Sequence, residues 1–548
     1  MRFILMRFFC CGLLFLTAVQ VHAKVKMPAI FGDHMVLQQD GVLPVWGWAD
    51  PGEKVKVTLG DRHANAVAAA DGKWRVELPS VKGDVAPLMM RVEGESNVLE
   101  FSDVLVGDVW ICSGQSNMGI PLRYAHNAAT ELPKAVDPQL RFFLVPQMCS
   151  ADPQEDTAGR WELCTKETAG GFSAVGYFFA RELRRELKRP IGMIGSYWGG
   201  TPAQTWTSMV ALEKAPAFTK YVDDYQRALK IHKKVIANPQ LTADYEAKMK
   251  KWDEDYRAMR SQYNAALAAG QKVEPPKPDS PPPIQPDPTA VPNPANARPG
   301  TPSIAFNGMI APLIPYAIKG VIWYQGEGNA YVSSAFEYRT LLPRLIEDWR
   351  GHWRQGDFPF IIVQLPNFIV SENSLQNWPM LRESQLRTLS LPNTGMAVTI
   401  DIGNPNDVHP KGKLDVGLRL ALVARKVAYG QDIVFSGPIY DAMKVDGKKI
   451  RLSFKNVGGG LAMGVPPWTW DGKTPVKPEK LKGFSISGSD QKWFDAEADI
   501  EGGEVVVHSE TVPVPVAVRY AWASNPSCNL YNKEGLPASP FRTDDWEK

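Results

Sequence analysis

The sequence predicts an α/β protein: a parallel sheet flanked by helices, with β-sandwich regions at its N- and C-terminal ends. Three observations predict it. Between residues 105 and 431, apolar strand-like runs alternate with helical stretches, the pattern of a parallel sheet covered by helices. Residues 24–104 and 432–548 instead carry short alternating runs between turn signals, the pattern of small sandwiches. The 548 residues also exceed what one ordinary core accommodates.

The elements follow in chain order. Residues 1–23 read as a signal peptide: Arg2 and Arg7 are positive, 8–21 is apolar, and Val21 and Ala23 suit a cut after Ala23. The apolar stretch is shorter than the roughly 20 residues of a membrane span. No later run is long enough to span, so a periplasmic or secreted protein is expected. In 24–104, runs at 42–46 and 55–59 read as strands. From 105 the pattern changes. Strands are expected at 106–111, 191–195, 320–324, 360–365 and ending at 399–401. Helices are expected at 174–187, 341–349 and 416–429, with Thr340 as N-cap and Pro343 in the first turn of the second. Residues 208–300 interrupt this unit with a charged helical stretch and then a proline-dense strap at 275–299. The region 105–431 is expected to be the catalytic domain.

Composition narrows the chemistry. Lys plus Arg (61) balances Asp plus Glu (59), so no basic surplus points to nucleic acid. Seventeen tryptophans suit a carbohydrate binder or an aromatic core equally. After the signal segment four cysteines remain, Cys112, Cys149, Cys164 and Cys528. None forms a Cys-x-x-Cys pair, which argues against zinc. Cys149 with Cys164, or free buried thiols, are the two readings. No pattern sets an oligomeric state.

Four segments could carry chemistry, each just past an expected strand. Ser116 sits in Gly-Gln-Ser-Asn-Met at 114–118, where ligands bind at the carboxyl edge of a parallel sheet. Gly199 and Gly200 let backbone N–H groups approach a substrate oxygen, as an oxyanion hole requires. Gln325 and Asn329 bring amide donors, and Glu327 is a residue to bind substrate or orient a neighbour. His409, in the Asn-Asp-Val-His-Pro run at 406–410, is a candidate base with acids close by. Each segment alone also reads as an ordinary turn; their shared order favours a site.

These segments together resemble the SGNH hydrolase superfamily and, within it, the bacterial sialate O-acetylesterases. The runs at 107–118, 195–202, 324–329, 406–410, 519–526 and 530–537 carry the resemblance, which spans the mature chain except 208–300. It implies an SGNH-type sheet, with Ser116 as nucleophile and His409 as base. The Ser116 amide and Gly199 or Gly200 would be oxyanion donors, joined by Gln325 or Asn329. The superfamily's acid stands three positions before the histidine, where this chain has Asn406. Asp407 is the nearest acid and Asp401 the runner-up.

The chemistry so implied is two-step acyl transfer from an acetylated sugar, with no cofactor or metal. An unperturbed histidine titrates near 6.5, so an acid limb around pH 6–7 is expected. A glycoside hydrolase using Glu327 and Asp407, and a non-catalytic carbohydrate-binding protein, are the rival readings.

Overall fold

A computed structural model describes residues 24–546 except 239, 270–299, 372 and 373. The signal segment and the proline strap at 275–299 therefore lie outside the described residues. Six strands build the N-terminal region: β1 (Val36–Gln38), β2 (Leu43–Trp48), β3 (Lys54–Leu59), β4 (Arg62–Val67), β5 (Lys73–Leu78) and β6 (Asp84–Glu93). In β3 and β5 buried and exposed residues alternate strictly at most positions, the two-residue period of a one-faced sheet.

β7 (Val98–Gly114) has two lives. Its first half pairs antiparallel with β6, Val98 opposite Glu93. Its second half, buried on both faces, enters the catalytic sheet between β10 (Ile191–Tyr197) and β11 (Gly320–Tyr324). The expected boundary at 104 thus falls inside one continuous strand. One hydrophobic core runs beneath both regions.

The catalytic sheet is completed by β8 (Asp137–Leu144), β9 (Trp161–Cys164), β12 (Phe360–Val363) and β13 (Thr394–Ala397), in the order β13-β12-β11-β7-β10-β8-β9. All pairs are parallel except β8 with β9. From β7 the chain builds outward on one side and then returns to the other, so a crevice opens between the ends of β7 and β11. Helices Ala174–Leu187 and Lys413–Val427 pack together on one face, where Trp110 meets Phe179 edge to face. Register pairs Ile322 with Cys112 and Trp323 with Ser113, which turns Trp323 to the other face, against Trp206 and Trp349.

Several boundaries differ from expectation. The helix expected at 341–349 runs Val332–Trp353, with Pro343 in its interior. Thr340 is no cap: its hydroxyl donates to the Glu337 carbonyl within the helix. Packing of buried Ala335, Tyr338 and Leu342 extends the helix upstream of its local start signal. The last strand ends at Ala397, so Thr399–Ile402 is already loop. In the insertion, helices Thr219–Ala237 and Gln240–Ala268 form, and Tyr221 donates to Glu337 to fasten the first of them to the catalytic unit. The four cysteines among the described residues are free thiols; Cys149 and Cys164 do not pair, and burial pushes both thiols up to about 12.

After 432 the chain forms two four-stranded antiparallel sheets and a two-stranded one over a separate core. No helix among the described residues is long and apolar enough to cross a membrane.

Candidate active site

Four of the sheet's carboxyl ends converge. β7 ends at Gly114, whose φ of +130° and contact with β11 exclude a side chain; a Cβ there would lie 2.1 Å from the Tyr324 carbonyl oxygen. The Gln115 N–H donates to that same carbonyl at 3.0 Å. Ser116 then opens a single helical turn, Ser116–Gly119. As the first helical residue its N–H has no intrahelical partner. The chain after β10 brings Gly199 alongside; a Cβ on Gly199 would touch the Ser116 Cβ at 3.4 Å. Gly200, with φ +74°, faces open space. The loop between β13 and helix Lys413–Val427 delivers His409, and its Nε2 lies 2.8 Å from Ser116 Oγ.

The acids divide. Asp407 Oδ1 accepts the His409 backbone N–H at 2.9 Å and lies 3.9 Å from the ring Nδ1, with both side chains nearly half exposed. That distance is an ion-pair contact beyond hydrogen-bond length. Asp401 belongs elsewhere: Arg419 grips both its oxygens at 2.6 and 2.7 Å, and Tyr531 donates to Oδ2. The runner-up acid is thus a structural anchor joining the catalytic unit to the C-terminal region.

The third segment corrects the expectation for Gln325 and shows what holds Asn329 and Glu327. Gln325 donates both amide hydrogens inward, to the Thr201 carbonyl and to Asn329 Oδ1, and accepts from Tyr338. It has no hydrogen left for an oxyanion. Asn329 accepts from the Ala203 N–H and donates to Gln204, leaving one amide hydrogen. It is 1% exposed and braces the 199–204 segment. Glu327 orients a neighbour. Its Oε1 accepts from Asn117 Nδ2 at 2.5 Å, and its Oε2 is buried without a partner. A carboxylate so enclosed cannot pair with Asp407 across a glycosidic bond.

Three residues escaped the sequence reading. Gln115 Oε1 accepts from the Gly326 and Gly328 N–H groups, locking the nucleophile turn to the third segment. Asn117 donates to the Val408 carbonyl at 2.9 Å. Lys413, fully buried, donates to Asn117 Oδ1. The signal for Gln115 and Asn117 was their adjacency to Ser116; a lysine opening a helix gives none.

Electrostatics favour a neutral imidazole. Burial and then the nearby Lys413 charge lower the His409 pKa, against the opposing pull of Asp407. Burial brings Lys413 itself down to about 7 and pushes the Glu327 carboxyl up.

Comparison with known proteins places the chain in a family. A family profile described as "Carbohydrate esterase, sialic acid-specific acetylesterase" matches residues 307–426, which include the third segment and His409. The chain is 30% identical to the sialate O-acetylesterase of Mus musculus, over 94% of each chain. It is 29% identical to that of Homo sapiens, covering 94% of this chain and 92% of the relative. Among solved structures, a carbohydrate acetylesterase from Xanthomonas citri shares 37% identity and a TM-score of 0.75, over 95% of this chain and all of that one.

Proposed function

The chain belongs to the sialate O-acetylesterase family of carbohydrate esterases, and from that premise we propose that Ser116 is its nucleophile and His409 the base that activates it. The enzyme removes acetyl groups from a sugar. The observation that carries the residue assignment is the 2.8 Å contact between His409 Nε2 and Ser116 Oγ, beside Gly199 at the sheet's carboxyl edge.

Ser116 Oγ attacks the acetyl carbonyl carbon while His409 Nε2 takes the hydroxyl proton. The carbonyl oxygen becomes an oxyanion, stabilised by the N–H groups of Ser116 and of the Gly199–Gly200 turn. One such donor is worth roughly 3 kcal/mol. The C–O bond to the sugar breaks, and the imidazolium returns its proton to the leaving alkoxide. Water, deprotonated in turn by His409, then attacks the acetyl-serine and releases acetate. The substrate we infer is an O-acetylated sialic acid or an acetylated glycan. The bacterial character of the chain is also an inference, supported by its greater identity with the Xanthomonas protein. So is export, supported by the apolar leader at 1–23.

Acetate release from O-acetylated sialic acid, acetylated xylan and acetylated xyloglucan, measured against pH, tests this reading. Because the His409 pKa is lowered, the imidazole stays neutral, and hence basic, below the ordinary value. Activity should therefore fall on the acid side only below about pH 6.5. No acetate from any of the three, or a limb above about 7, would overturn the assignment.

The two aspartates should separate cleanly. Asp407→Asn is expected to lower kcat about tenfold, since a half-exposed pair at this distance is screened. That is far less than the 10⁴ a buried triad acid can contribute. Asp401→Asn should instead strip a buried Arg419 of charge compensation and cost about 3 kcal/mol of stability. Thermal melts beside kcat check both; a collapse of kcat in a fully folded Asp401→Asn enzyme would reverse the roles.

A further inference from the structure

Behind Ser116 lies a chain of polar groups that the acyl-transfer steps do not use. The Asn117 side chain is fully engaged. Its Oδ1 accepts from the Lys413 ammonium at 2.5 Å; its Nδ2 donates to Glu327 Oε1 at 2.5 Å and to the Val408 carbonyl at 2.9 Å. Only one orientation of the amide fits, because an ammonium needs an oxygen and the two acceptors need N–H groups. Lys413 opens helix Lys413–Val427, where the helix dipole opposes a cation. The Tyr324 ring lies 5.1 Å from its ammonium. A buried ammonium and a buried carboxylate joined through one amide stabilise a fold less than apolar residues of the same volume would. Their location supplies another use. Val408 precedes His409, so the Asn117 bond ties the base's loop to the residue beside the nucleophile.

We propose that Asn117, Glu327 and Lys413 are positioning residues: Asn117 clamps the His409 loop onto the nucleophile turn, and the opposed charges of Lys413 and Glu327 set how readily His409 takes up a proton. This rests on the Ser116–His409 reading. His409 is faced by the Ser116 hydroxyl, by Asp407 from its own loop and by Lys413 from the helix. Lys413 is faced by Glu327, Asp407 and the Tyr324 phenol, whose pKa burial raises well above its usual range. Asp415, two residues on, is turned toward Arg419, Asp401 and His126. Glu327 and Asp407 help Lys413 keep its proton against burial, and the Lys413 charge lowers the affinity of His409 for a proton. Removing the Lys413 charge relieves that repulsion and favours imidazolium. Removing the Glu327 charge takes away a carboxylate that helps hold the Lys413 proton, so the repulsion of His409 weakens here too.

The test is kcat/KM for p-nitrophenyl acetate against pH in wild type, Lys413→Met, Glu327→Gln and the double variant. The acid limb should move up by roughly half a unit to one unit in Lys413→Met, and in the same direction by less in Glu327→Gln. The double variant should lie close to Lys413→Met, not at the sum of the two shifts. A purely structural role would lower rates without moving the limb. A direct titration of the His409 ring by NMR, in a Ser116→Ala background with and without Glu327→Gln, covers the case in which Lys413→Met fails to fold. Limbs that stay in place or move down, or a His409 titration unchanged by Glu327→Gln, would overturn the proposal. Turnover that survives in Ser116→Ala would overturn the nucleophile assignment instead, while the ring titration still reads the charge pair.

Discussion

Ser116→Ala is expected to lower kcat for acetate release by about 10⁴-fold or more, with the thermal midpoint nearly unchanged. The nucleophile's oxygen is the one atom of the side chain with a polar partner, and that partner is His409. Alanine therefore removes the acyl acceptor without orphaning a buried group. The turn itself is held by other atoms: the Gln115 N–H on Tyr324, and the Met118 and Gly119 N–H groups on the Gln115 carbonyl. Residual turnover should reflect only the oxyanion donors acting on water. Stopped-flow detection of the acetyl-enzyme burst, present in wild type and absent in the variant, reads the same step directly. A variant that keeps more than about one per cent of wild-type turnover removes Ser116 from the mechanism.

The largest stability effect should come from a residue far from the chemistry. Arg382, fully buried on helix Trp378–Arg387, donates to four backbone carbonyls: Leu365, Pro366, Ala523 and Ser524. The first two follow β12; the last two belong to the C-terminal region. Burial lowers the guanidinium pKa to about 9. Arg382→Met fills similar volume but leaves the four carbonyls without their donor, each costing about 1–3 kcal/mol. A loss of at least 4 kcal/mol is expected, and a midpoint lower by on the order of 10 °C. Arg382→Lys should recover little, since three donors on a point charge cannot span both segments. A loss below about 1 kcal/mol in Arg382→Met would show that the carbonyls find other partners.

The fold was legible where the physics is local. Runs such as 320–324 and 360–363 are uniformly apolar because both faces of a parallel strand are buried. Ser116 and His409 stood out because each follows a strand that ends at the same edge. What stayed hidden depends on partners distant in sequence. Gln325 and Asn329 present donors to any reader of the sequence, yet Thr201 and Asn329 hold both of Gln325's and Gln204 holds one of Asn329's. Asp401 looked available until Arg419 and Tyr531 were folded against it. Nothing in the sequence marks Lys413, and only the fold encloses it beside Glu327.

The strand Val98–Gly114 has partners at very different distances along the chain. Its first half meets β6 immediately upstream, while its second half waits for β10 and then for β11, which follows the helical insertion. Closing a loop costs more entropy as the loop lengthens, and distant pairings form late. As the polypeptide emerges from the ribosome, the N-terminal sheet can therefore close first. It holds the nucleophile-bearing strand in register while its parallel neighbours are still being synthesised. The N-terminal region is in this sense a folding template, and the catalytic sheet inherits its alignment from it.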